Sequence, residues 1–127
     1  MIQLGTTLRC NLPPRHIWVV LNDPNTCQGQ VLMVNLTTLR PGCVDDVCVL
    51  DHADFEPLDR PTTVAYSRHE TGLAAGLQRA VDSGYFAEIT NVPKPALQKM
   101  IEGARQSPEL PESAKRLLPP CSQAAKL

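Results

Sequence analysis

Four residues have the chemical types that proton transfer and anion contact require: Arg15, His16, Thr37 and His52. An imidazole gives and takes a proton near neutral pH, a guanidinium grips an oxyanion through paired N–H groups, and a threonine hydroxyl donates to a further oxygen. Their positions suit a shared site. Arg15 and His16 open the run 17–21 (Ile-Trp-Val-Val-Leu), and Thr37 and Thr38 close the run that begins at Val31. Both runs are rich in β-branched or aromatic residues and flank Asn22-Asp23-Pro24-Asn25 and Gln28-Gly29-Gln30, the pattern of two strands in a hairpin. In an antiparallel pair the start of one strand lies beside the end of the next. A cation, an imidazole and a hydroxyl are therefore expected on one edge of a small sheet. His52 follows the apolar run 47–50, which predicts a strand end and a place at a barrel rim facing His16.

The elements that must position these residues follow from the same patterning. Residues 6–10 form a first short strand, stopped by Asn11-Leu12-Pro13-Pro14. Residues 17–21 and 31–36 are nearly continuous apolar runs, so both are expected to be buried on two faces. A turn at Arg40-Pro41-Gly42 leads to a strand at 47–50, with Cys48 the best core cysteine, and residues 62–67 return as a fifth strand. From residue 70 the pattern turns helical: Leu73, Leu77, Ala80 and Val81 keep the period, and Ser83-Gly84 gives the stop. Leu97, Met100, Ile101 and Ala104 make a clearer stripe, with Lys99, Glu102 and Arg105 outward, between Pro93/Pro95 and Ser107-Pro108. Residues 112–118 add a turn or two. The expectation is an α+β fold: one barrel-like domain over 1–118 whose five short strands precede the helices, and a loose tail over 119–127.

Composition narrows the function. A chain of 127 residues supports one substantial core. Aromatics are scarce, which argues against a base-stacking surface. Residues 1–60 hold four Arg and seven Asp/Glu, and residues 61–127 hold eight Lys/Arg and six Asp/Glu, so nucleic acid would need a local basic groove. No stretch is long enough to span a bilayer and the N-terminus lacks a signal-peptide pattern, so a cytoplasmic location with no membrane partner is expected. The five cysteines, at 10, 27, 43, 48 and 121, contain no Cys-x-x-Cys pair, which disfavours zinc and suggests reduced thiols. Asp51, Asp54, Glu56 and Asp59 lack the spacing of an EF-hand loop and predict an acidic surface loop that repels RNA. No phosphate-cradling glycine loop, nucleophile elbow or cofactor motif is present, so neither a metal nor a cofactor is expected.

The chain resembles the MazF/PemK family of toxin ribonucleases over most of residues 5–106. The resemblance rests on Arg15-His16 where the family has Arg-Pro, on the strand 17–23 closed by Asn22-Asp23, and on the second strand 31–38 ending in Thr37-Thr38. Val64 in a later β segment and the 97–104 stripe, like the family's last helix, extend it. It implies an SH3-like barrel of about five to seven antiparallel strands with C-terminal helices. It further implies a homodimer that cleaves single-stranded RNA without metal and is held by a cognate antitoxin protein. With His16 in place of the family's proline, the resemblance points to a divergent branch in which His16 and His52 transfer protons while Arg15 and Thr37 steady the phosphate.

Each of these residues also has a plainer reading. His16 caps a strand edge, His52 is a solvated turn residue between aspartates, Thr37 is an ordinary β residue, and Arg15 is simply exposed beside two prolines. His69 fits a structural role, and Trp18 mid-strand fits the core. The alternative function is a non-catalytic SH3-like protein-interaction module, which the scarce aromatics, near-neutral charge and acidic loop favour.

Overall fold

The computed structural model describes residues 1–120; the expected loose tail and Cys121 fall, from residue 121 onward, outside the described residues. Six strands form one curled antiparallel sheet, a half-barrel: β1 (Thr7–Cys10), β2 (Ile17–Val20), β3 (Gln30–Thr38), β4 (Val49–Leu50), β5 (Thr62–Leu73) and β6 (Phe86–Ile89), in the order β4-β5-β3-β2-β1-β6. Helix α1 (Ala74–Asp82) lies between β5 and β6 in sequence, and α2 (Lys94–Gln106) and a short α3 (Glu112–Lys115) follow.

The hairpin expected from the two apolar runs is present. Ile17 pairs with Leu36 and Val20 with Met33, and the connection contains a 3-10 turn over Pro24–Thr26 capped by the Asp23 side chain on the Asn25 amide. Alternation along these strands divides the side chains between two faces. On one face, Val19, Leu21, Leu32, Val34 and Leu36 pack against Leu97, Met100, Ile101 and Ala104 of α2. On the other, Leu8, Cys10, Val20 and Val31 pack against Leu77 and Phe86, with Trp18 and Met33 half-buried at the margin. Cys48 is buried, as expected.

The order of elements departs from the expectation that all strands precede the helices. The four-residue β6 stands after α1 at the sheet edge, paired with β1 from Thr7–Ile89 to Cys10–Phe86. Its segment Phe-Ala-Glu-Ile has no clear alternation, so that long-range register alone makes it a strand. β5 likewise continues to Leu73 rather than ending at residue 67, and α1 begins only at Ala74. Residues 68–72 are polar or Gly and carry no strand signal; the pairing of Glu70, Thr71 and Gly72 with Met33, Leu32 and Val31 holds this end of the strand extended. Met33 pairs with Glu70 and Asn35 with Ala65, so residues 66–69 bulge opposite Val34. His69 Nδ1 meets the Tyr66 carbonyl at 2.9 Å within that bulge, a structural role.

Among the described residues, no helix is long and apolar enough to cross a membrane, and no three His, Cys, Asp or Glu side chains converge as a metal site.

Candidate functional site

The register of the hairpin fixes the site. Because Ile17 faces Leu36, the two residues before Ile17 come alongside the two after Leu36. The structure accordingly brings Arg15, His16, Thr37 and Thr38 to one open groove of about 390 Å³ at the strand ends. Thr37 and Thr38 are held from the other side by Thr63 and Thr62 of β5. Pro57, Leu58 and Asp59 supply the opposite wall, carried by a loop anchored through buried Phe55 and Leu58. Backbone bonds fix His16 in place: its amide donates to the Pro14 carbonyl at 2.9 Å, and its carbonyl accepts from the Cys10 amide at 3.1 Å.

Two further cations complete the groove, Arg40 and Arg60. Three of the four arginines in the first sixty residues therefore converge here, in a half of the chain that has no lysine. Among the described residues, Asp59 is the one carboxylate in the lining. It accepts from Arg60 Nε at 3.1 Å, and that bond holds its carboxyl below the usual range. Among the described residues, Arg15 and Arg40 have no ion-pair partner, so their guanidinium donors face solvent and any anion that enters.

The three histidines differ. The rings of His52 and His69 are tied to carbonyls, of Leu58 at 3.2 Å and of Tyr66 at 2.9 Å. The His16 ring has no hydrogen-bond partner among the described residues and is half-buried in the groove, free to engage a ligand. His52 is exposed on the loop 51–58 and does not line the groove; the expected meeting of two imidazoles there is replaced by contact with one.

Two of the four carboxylates of the acidic loop, Asp54 and Asp59, are ion-paired. Asp51 Oδ1 accepts from the Ala53 amide at 2.9 Å. Asp54 takes the Lys99 ammonium at 2.7 Å and the Asp51 amide at 3.0 Å, and the Lys99 bond in particular lowers its carboxyl pKa. Asp59 is paired with Arg60. Among the described residues, Asp51 and Glu56 are exposed and have no ion-pair partner, so two of the loop's four carboxylates keep an uncompensated charge.

Arg40 and Arg60 were the members of the site that sequence reasoning missed. Arg40 carried a usable signal, since it stands two residues beyond the end of β3. Arg60 looked like part of an acidic loop, and only the pairing of Thr62 with Thr38 brings it to the groove. No family model matches the chain, and no curated protein matches it.

Proposed function

We propose that the protein is a metal-independent endoribonuclease of single-stranded RNA, the toxin of a toxin–antitoxin pair built on an SH3-like barrel of the MazF/PemK kind. The observation that carries this reading is the groove in which Arg15, Arg40 and Arg60 surround His16 and Thr37. Several guanidinium groups about one unengaged imidazole suit a phosphodiester, whose charge grows as the transition state forms.

In this reading the ribose 2′-OH attacks the phosphorus and the bond to the 5′ oxygen breaks, leaving a 2′,3′-cyclic phosphate and a 5′-OH. His16 takes or supplies one of the two protons. Arg15 and Arg40 hold the non-bridging oxygens, and Thr37 donates a further hydrogen bond. The second proton is exchanged with solvent, since the groove is open and His52 does not line it. The protein works in the cytoplasm as a homodimer, and an acidic segment of the antitoxin competes with RNA for the arginines.

The test is incubation of the purified protein with a long single-stranded RNA in EDTA beside a His16→Ala control. Fragments ending in 2′,3′-cyclic phosphate, reduced at least about a hundredfold in the control, are expected for loss of a general acid–base group. Full cleavage by the variant would overturn the mechanism. A second reading, the non-catalytic interaction module, is favoured by the exclusion of His52 from the groove lining. It gains if the wild-type protein, freed of antitoxin, leaves the RNA intact.

A further inference from the structure

His16 also lines a second, larger cavity. It is a cleft of about 650 Å³ between the loop before β2, the far end of β5, and α1 with the start of β6. Its volume lies in the range of clefts that hold small organic groups, roughly 300–1,000 Å³. Of the chain's one Trp, two Tyr and two Phe, three residues line it: Trp18, Tyr85 and Phe86. The scarcity of aromatics therefore says little about this face, because the few present are concentrated here. Phe86 is buried and meets Tyr85 edge-on, with ring centroids 4.9 Å apart at 87°. Tyr85 is 48% exposed and Trp18 half-buried, so both offer ring surface to a ligand. Met33 and Leu77 add apolar walls, and among the described residues Glu70 is the one acidic side chain in the lining.

Strand alternation connects the two cavities. Ile17 lines the cationic groove and its neighbour Trp18 lines the cleft, while His16 belongs to both. A ligand spanning them would place an anion among arginines and a flat apolar group among aromatic rings, with the imidazole at the junction. That sequence of groups is one nucleotide of a single strand.

We propose that the cleft receives an unpaired base of the RNA strand whose adjoining phosphate lies against Arg15, Arg40 and Arg60. This rests on the ribonuclease reading for the identity of the strand, but not on catalysis. The base stacks on Trp18 and Tyr85, a contact tolerant of base identity. Glu70 accepts from an exocyclic amino group, so cytosine is preferred to uracil, which presents a carbonyl at that position.

Trp18 is the only tryptophan of the chain, so its fluorescence reports on the cleft. The probes are short 2′-O-methyl oligonucleotides, which lack the attacking hydroxyl and cannot be cleaved, and an abasic strand with the same phosphates. Oligocytidine is expected to quench Trp18, whereas the abasic strand binds in a salt-dependent way without quenching. Tyr85→Ala, at an exposed position, weakens oligocytidine about tenfold and leaves the abasic strand unchanged. Glu70→Gln removes the preference for oligocytidine over oligouridine. Equal quenching by the abasic strand, or a response to apolar peptide alone, would overturn the proposal. A folded Tyr85→Ala protein with unaltered oligocytidine affinity would do the same. Cleavage of RNA without a Trp18 response defeats the cleft and spares the ribonuclease; a base-dependent response without cleavage does the reverse.

Discussion

On one face of the sheet, α2 lays Leu97, Met100, Ile101 and Ala104 over the strands and closes the interior, with Met100, Ile101 and Ala104 fully buried. On the other face, α1 covers only part of β1 and β3, and Leu73 and Tyr85 stand exposed beside an open cleft. The same strands serve both faces, since alternation sends Val19 to the closed one and Trp18 to the open one. The contrast separates two tasks within a single sheet: tight packing that stabilises the fold, and unsatisfied surface that is free to bind.

Substitutions on the closed face should cost the most. Ile101→Ala removes a fully buried side chain and is expected to lower unfolding free energy by about 2–5 kcal/mol in a denaturant titration. Gly103→Ala comes next. A Cβ there would run into the Tyr66 hydroxyl and stand 3.0 Å from Cys48 Cβ, an overpacking worth about 1–3 kcal/mol. The Tyr66 hydroxyl donates to the Met100 carbonyl at 2.6 Å, so Tyr66→Phe alone costs about 1 kcal/mol. Combined with Gly103→Ala it opens the space the new methyl needs, and the double variant should be more stable than the sum of the two losses predicts. Strict additivity would show that the contact is not what α2 packing depends on.

The open face should respond weakly. Leu73→Ala, at a position 61% exposed, is expected to change stability by less than about 0.5 kcal/mol. A loss comparable to Ile101→Ala would break the contrast. The smallest effect belongs to the Asp54–Lys99 bridge, which ties the loop 51–58 to α2. Its bond lowers the Asp54 pKa and raises that of Lys99. The contribution is present at neutral pH. It disappears as pH falls through the depressed carboxylate value, and again as pH rises through the elevated ammonium value. The Tm difference between wild type and Lys99→Met should therefore be small at pH 7 and close at both extremes.

Local signals in the sequence were enough for the central hairpin and for α2. Residues 17–21 and 31–36 carry β-branched apolar runs, and Leu97, Met100, Ile101 and Ala104 repeat at helical spacing, so local pattern and tertiary burial agree. From the hairpin followed the neighbourhood of Arg15, His16 and Thr37. What was not legible depends on pairing between distant segments. β6 exists because Phe86–Ile89 finds β1, the polar end of β5 because it finds β3, and Arg60 reaches the groove because Thr62 finds Thr38. The cleft was hidden for the same reason: Trp18 and Tyr85 are far apart in sequence and meet only across the finished sheet.

That last pairing has a consequence for synthesis of the chain. Among the described residues, those lining the cationic groove run from Arg15 to Thr62, whereas the cleft needs Tyr85 and Phe86 as well. The ribosome delivers residues in order from the N-terminus, and a strand cannot dock before it emerges. There is an interval of synthesis in which Arg60 has emerged and Tyr85 has not, so the arginines are outside while the aromatic wall still lacks Tyr85 and Phe86. The edge of β1 that β6 will occupy is open throughout that interval, and it is the place where a chaperone or a second nascent chain would find free backbone amides.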